Sequence, residues 1–288
     1  MSYRDLYLQD VGKILKLVDS DTPKGKVFGV PFDATSSYRT GSKLAPQAIR
    51  SAFNNIEIYS RLFDVDLEKE YIEDLGDLST LYDAKSTSAQ VSRLWKELLE
   101  NEIPICMLGG EHSISYGSIS AVPNDVGIII FDAHLDLRDE LGGSDFTHAT
   151  FYRRLLDKLD RKRFIHLGSR AACEQEWRYA EDEHLNIIEM GNYKIDLIDR
   201  NLIFKEYEKF YVSVDMDVFD PAYAPGVANP EPDGISPKDF FNFLKNLSGK
   251  KIIGFDIVES CPPYDNGNTC VLAAKLMLEL FSYCFSLK

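Results

Sequence analysis

A chain of 288 residues, 44% of them hydrophobic, can bury one large core and fits a single α/β domain of generous size. Its 46 Asp and Glu against 32 Lys and Arg leave a formal net charge of −14, which argues against general attraction to nucleic acid or an anionic membrane and favours a cationic small molecule. The five cysteines, Cys106, Cys173, Cys261, Cys270 and Cys284, are scattered without C-x-x-C spacing, which points away from a disulfide framework or a thiolate zinc site and towards a reducing compartment.

The N-terminal stretch "MSYRDLYLQDVGKILKLVDSD" is interrupted by Arg4, Asp5 and Asp10. It lacks the apolar centre of a signal peptide, and no uninterrupted apolar run is long enough to span a bilayer, so a cytoplasmic location is expected. Short apolar runs then follow one another along the chain. "KVFGV", "IPICMLGG", "VGIIIFDAH", "RFIHLGS", "LNIIEM", "KFYVSVDMD" and "KIIGFDIVE" all read as buried strands. Between the first two lies "STSAQVSRLWKELLENE", where Val91, Leu94, Trp95, Leu98 and Leu99 recur at helical spacing behind Ser/Thr residues suited to an N-cap. The last helix, "TCVLAAKLMLELFSYCF", is apolar on most faces.

Strands alternating with helices imply one three-layer α-β-α domain over residues 1–288, built on a mainly parallel sheet with function at the carboxyl ends of the strands. Two Gly/Pro-rich segments, "GVPFDATSSYRTGSKLAPQAIR" and "DPAYAPGVANPEPDGIS", each follow a strand. Loops of that length in this position usually build the site.

Three strand ends carry the chemistry. "LGGEHS" offers His112, "FDAHLD" offers Asp132, His134 and Asp136, and "SVDMD" offers Asp215 and Asp217. Alternate residues of a strand share a face, so each set is expected side by side. Four converging carboxylates raise one another's pKa and call for compensation, which two divalent cations supply. An oxygen-rich donor set with a little imidazole suits manganese better than zinc, and paired metals activate a shared water. A D-x-D alone is commonly a cap or a turn; the three strand ends together carry the metal reading. His166 and His184 have no such companions and are expected to be structural or surface residues.

The ordered set "GVPFDATSSYRTGSKLAPQAIR", "LGGEHSIS", "FDAHLDLRDE", "THATFYRR", "SVDMDVFDPAYAPG", "PEPDGIS" and "GFDIVESCPPYD" resembles the ureohydrolase family of arginases and agmatinases, and is most similar to its archaeal agmatinases. The resemblance covers the chain from about Val27 to Leu280. It implies an arginase-like fold and two manganese ions, one held by His112, Asp132, Asp136 and Asp215, the other by Asp132, His134, Asp215 and Asp217. A metal-bridging hydroxide, oriented by Asp136, would attack the guanidinium of agmatine and release urea and putrescine. Glu259 would pair with the guanidinium and His148 would shuttle the proton to the leaving amine. The family also implies a homo-oligomer, trimer or hexamer.

The substrate's tail is less determined. Asp145, in the acidic loop "LRDELGGSDFT", could meet a second amine, whereas Arg138 favours a carboxylate unless Asp139 or Glu140 neutralises it. Val227, Ala228 and Asn229 stand where many members have Thr-Gly-Thr, and Cys261 replaces a small polar residue beside Glu259. Aminopropylagmatine, guanidinobutyrate and arginine therefore stay open as substrates, as does a catalytically silent metal-binding protein. Gly109 and Gly110 are expected to allow a tight turn, Pro221 and Pro225 to stiffen a loop, and Arg39 and Arg50 to form ion pairs; Asp256 receives no role.

Overall fold

Every apolar run read as a strand forms one in the computed structural model, which describes residues 7–9, 12–192, 201–247 and 249–287. The strands are β1 (Leu8–Gln9), β2 (Gly25–Val30), β3 (Tyr59–Ser60), β4 (Val65–Asp66), β5 (Ile72–Leu78), β6 (Ile105–Gly109), β7 (Val126–Phe131), β8 (Phe164–Ser169), β9 (Ile187–Glu189), β10 (Lys209–Asp215) and β11 (Lys251–Val258). Nine form one sheet in the order β1-β5-β2-β6-β11-β10-β7-β8-β9, and β3 pairs with β4 in a separate hairpin. All pairings within the large sheet are parallel except that of β1 with β5. The late strands β10 and β11 are inserted between β6 and β7, so connections run outward in both directions from the sheet's centre. Such a reversal opens a crevice at the carboxyl ends of the central strands.

Helices cover both faces: α1 (Ala45–Phe53), α2 (Ala84–Leu99), α3 (Ser115–Ile119), α4 (Phe151–Leu156), α5 (Glu174–Asp182), α6 (Ile203–Glu206), α7 (Pro237–Asn246) and α8 (Asn268–Ser286). The core accordingly has two halves. One packs α1, α6, α7 and α8 on the sheet, through residues such as Ile49, Phe204, Phe240 and Phe281; the other packs α2 to α5, through Leu94, Trp95, Phe151 and Leu155.

Helix α2 buries Val91, Leu94, Trp95 and Leu98, with Leu99 only partly covered. Its N-cap is Asp83, whose side chain accepts from Ser86 N–H at 2.8 Å, not one of the Ser/Thr residues expected from sequence. The apolarity of α8 has a tertiary explanation. The helix matches a membrane span in length and hydropathy, but 67% of its most apolar window is buried inside the protein.

Packing fixes the strand ends that matter. Phe131, the last residue of β7, meets the rings of Phe240 and Phe243 edge-on, both at 5.0 Å. That contact anchors the backbone just before Asp132, and losing a buried Phe of this kind costs roughly 3–5 kcal/mol. Gly110 serves a close approach: a Cβ there would lie 1.9 Å from the Phe32 carbonyl oxygen. Its backbone joins three segments, its N–H donating to Val30 O at 3.0 Å and its carbonyl accepting from Glu259 N–H at 2.8 Å.

Candidate metal centre and active site

The carboxyl ends of β6, β7, β10 and β11 deliver His112, Asp132, Asp215 and Glu259 into one crevice. They arrive there by turns. Strand β7 ends at Phe131, and Asp132, His134 and Asp136 lie in the loop beyond it, so strand alternation does not set them side by side as expected. Backbone amides that a continuing strand would pair bind carboxylates here. His134 N–H donates to Asp132 Oδ1 at 2.7 Å and Ala133 N–H to Asp217 Oδ1 at 3.1 Å. Asp215 caps a 3-10 turn, Met216–Val218, accepting from Asp217 N–H at 2.8 Å. His112 opens a similar turn, His112–Ile114.

Donor atoms of His112, Asp132 and Asp215 lie within 4.8 Å of one another, as do those of Asp132, His134 and Asp217. Asp132 belongs to both groups. Asp136 Oδ2 stands slightly outside, 3.7 Å from His112 Nδ1. Two site residues, Asp136 (φ 51°) and Glu259 (φ 63°), adopt the left-handed backbone region that L residues avoid. Strain of this kind is tolerated where surrounding structure overdetermines it, often at functional sites.

The cluster fits a cation on its own hydrogen-bond geometry. His112 Nε2 lies 3.0 Å from Ser213 Oγ, which donates to Asp256 Oδ1 at 2.6 Å. Ser213 has spent its proton, so His112 Nε2 carries the hydrogen and Nδ1 presents a lone pair. That lone pair faces Asp132 Oδ2 at 3.0 Å and Asp215 Oδ2 at 3.2 Å. Nδ1 and Asp132 Oδ2 are buried without a hydrogen-bond partner. Buried acceptors aimed at one another are costly unless something positive lies between them.

Electrostatics says the same. Burial, then the neighbouring carboxylates, pushes Asp136 and Asp215 well above the usual range; burial and Asp217 push Asp132 upward. Burial raises Asp217 too, but His134 outweighs it and leaves that carboxylate lowered. His134 is pushed up to about 9, since Asp217 at 2.9 Å overcomes the desolvation that lowers it. Glu259 is raised well above its ordinary value by burial and by Glu111. Its Oε1 accepts from His112 N–H at 2.8 Å, while Oε2 is buried without a partner.

His134, Asp136, Asp215, Asp217 and Glu259 line a cavity of about 490 Å³ with Ser37, Arg138, His148, Glu176, Asn229 and Glu231 among its other walls. His148 is buried, and desolvation together with His134 and His112 depresses it to about 4. Asp145 does not line this cavity; it lines a separate one with Arg154 and Lys158. Arg138 is faced by Glu176 Oε2 at 3.6 Å, whereas Asp139 is taken by Arg154 at 2.8 Å. Glu176 was not singled out from sequence, because a carboxylate in a helical stretch carries no local mark of the cavity it enters.

The remaining motif residues have definite surroundings. Arg50 pairs with Asp74 and Asp77, as an ion-pair role requires. Arg39 instead lies over the rings of Tyr38 and Tyr264 and donates to Val227 O at 3.4 Å. His166 is buried against Tyr152 and bonded to Ser169 Oγ at 2.7 Å, and His184 is exposed. Val227 and Ala228 are buried, and Val227 forms an antiparallel bridge with Ser260. Cys261 donates its S–H to Thr40 O at 3.3 Å.

Several residues of the site were given no role by sequence reasoning. Asp256 and Ser213 are partners in the β10–β11 register, a signal visible only once those strands are placed together. Arg170 donates to the carbonyls of Asp217 at 2.7 Å, Glu231 at 2.8 Å and Pro232 at 2.8 Å, tying the Glu231 loop to the Asp217 turn. Glu111 and Thr35, linked in series to His148, lie within quoted motifs but had no evident partner.

The model of the arginase family matches residues 24–282. The solved structure of agmatine ureohydrolase from Thermoplasma volcanium is 38% identical, with a TM-score of 0.89, covering 96% of each chain. The agmatinase of Pyrococcus horikoshii is 33% identical over 255 residues, 87% of this chain and 88% of its own. The N(1)-aminopropylagmatine ureohydrolase of Thermococcus kodakarensis is 33% identical over 278 residues, 94% of this chain and 95% of its own.

Proposed function

The chain belongs to the arginase family, and from that premise we propose that it hydrolyses the guanidinium group of agmatine to urea and putrescine with two manganese ions per subunit. His112, Asp132, Asp136 and Asp215 would hold one ion, and Asp132, His134, Asp215 and Asp217 the other. The observation that carries this reading is the pair of orphaned donor atoms, His112 Nδ1 and Asp132 Oδ2, within a cluster of buried carboxylates. Bound there, the two cations offset the carboxylate charge and activate water at neutral pH.

The chain's own residues do the rest. Glu259 Oε2, buried and unpartnered, accepts guanidinium N–H groups and turns the carbon towards the ions, while its fixed Oε1 keeps the carboxylate from rotating. Asp136 accepts a hydrogen bond from the attacking water. His148 delivers a proton to the departing amine, which leaves poorly without one. The cavity wall beyond the cluster supports a cationic tail. Glu231 lines it, and Glu176 faces Arg138, which would otherwise favour a carboxylate. The family also supports a homo-oligomer, which we carry forward as a trimer or hexamer of single-domain subunits.

Aminopropylagmatine is the second reading, favoured by the match to the Thermococcus enzyme over 94% of this chain. Urea release from agmatine, aminopropylagmatine, guanidinobutyrate and arginine by the manganese-loaded protein separates the two. Highest kcat/KM with agmatine is expected; a preference for guanidinobutyrate or arginine would overturn the cationic-tail reading.

A further inference from the structure

His148 sits at the end of a hydrogen-bond chain that begins at a buried carboxylate. Glu111 is fully buried and receives three donors: Thr35 N–H on Oε2 at 2.6 Å, and Thr35 Oγ1 and Ser113 Oγ on Oε1, each at 2.6 Å. Burial raises its carboxyl and the three donors oppose that rise; in all three bonds the Glu111 oxygens are the acceptors. Thr35 Oγ1 has therefore given its single proton to Glu111, and it can only accept from elsewhere. The backbone N–H of His148 reaches it at 3.0 Å, and His148 Nδ1 lies 3.2 Å away. The ring nitrogen that meets a spent hydroxyl must carry the hydrogen. Nδ1 is thus protonated in neutral His148, and Nε2 is left bare beside Ser37 Oγ at 3.2 Å, on the cavity side.

We infer that Glu111 and Thr35 are positioning residues that hold His148 in its Nδ1–H tautomer, with Nε2 as the nitrogen that exchanges the catalytic proton. The inference rests on the proton-shuttle role proposed for His148. In the step itself the bare Nε2 takes up the proton that the attacking water releases and passes it to the amine nitrogen as the C–N bond breaks. That bond's electron pair goes to the same nitrogen, and the imidazole is left neutral with its Nδ1–H still bonded to Thr35. The backbone bond from His148 N–H to the same oxygen fixes ring and main chain together, so the loop carrying the shuttle is tied to the segment before α1. Carboxylate, hydroxyl and imidazole in series follow the logic by which a buried Asp sets the tautomer of a catalytic histidine, with threonine interposed.

Thr35→Val removes the hydroxyl at nearly constant shape, and Thr35→Ser restores it. In the manganese-loaded enzyme Thr35→Val is expected to lower kcat by about 10- to 100-fold, with KM and metal content unchanged and most of the loss recovered in Thr35→Ser. In a His148→Asn background Thr35→Val should cost nothing further. An equal loss in that background, or wild-type kcat in Thr35→Val, would overturn the inference. A second readout needs no substrate: long-range proton–nitrogen NMR of histidine-labelled protein with magnesium in place of manganese. The signal absent from His148→Asn should report Nδ1–H in the wild type and lose that tautomer in Thr35→Val. An Nε2–H signal in the wild type would refute the relay whichever guanidine is hydrolysed.

Discussion

Arg50 and Asp132 are both fully buried, yet the charge clusters around them are balanced in opposite ways. Arg50 donates to Asp74 Oδ1 and Oδ2 at 3.0 and 2.8 Å, to Asp77 Oδ1 at 2.5 Å and to Gly76 O at 2.9 Å. Desolvation alone would lower its pKa, but the two aspartates outweigh it and raise it. Around Asp132, by contrast, carboxylates outnumber imidazoles, donor atoms are left orphaned, and most of the acids are pushed upward. The first cluster closes on itself and joins α1 to β5. The second needs positive charge from outside, and the difference separates a structural ion network from a binding site.

Variants of the two clusters should therefore fail in different ways. Asp132→Ala, which removes the shared ligand, is expected to lose bound manganese and to lower urea release by about a thousandfold or more. Metal analysis beside a turnover assay checks both. Full activity in that variant would break the assignment. Arg50→Ala leaves two buried carboxylates without their cation, at a cost of roughly 3–5 kcal/mol in folding stability by denaturant titration. At a temperature where it stays folded, its metal content should match the wild type.

His148→Asn sharpens the contrast within the active site. It touches neither donor group of the cation cluster, so manganese should be retained while kcat falls by about a hundredfold or more. Loss of metal in this variant would make His148 a structural support of the cluster instead.

The smallest effect concerns pH. Asp136, Asp215 and Glu259 are raised in the folded, metal-free chain, so it holds their protons to higher pH than the unfolded chain does. Stability of the metal-free protein therefore drops as pH rises through those elevated values, and bound cations remove that loss. The gap in Tm between loaded and chelated protein should widen from about pH 5 to about pH 8. A gap that narrows over that range would contradict the charge argument.

What the sequence made legible follows the same division. Buried parallel strands announce themselves as apolar runs, and β2, β6 to β8, β10 and β11 lie where those runs are. Strand β5, "IEDLGDL", was not read as one, because Glu73, Asp74 and Asp77 interrupt its apolar residues. Two of those acids are neutralised by Arg50, a partner 24 to 27 residues away that no local pattern reveals. The motif residues of the site were legible as a set, but the reason given for Asp132, His134 and Asp136 was not the one the fold uses. Turns whose amides bind carboxylates gather them, where strand alternation was expected. Residues that orient others, such as Ser213 with Asp256 and Thr35 with Glu111, depend on register and loop packing. Those relations exist only in the folded chain.

The central claim, that the strand-end cluster is completed by two cations that make it catalytic, is tested most directly by titrating manganese into chelated protein. Urea release from agmatine is followed at each addition. The account predicts almost no urea without metal and a rate that climbs until two equivalents are bound per chain. Undiminished urea release from fully chelated protein, or a rate that never responds to bound manganese, would contradict it.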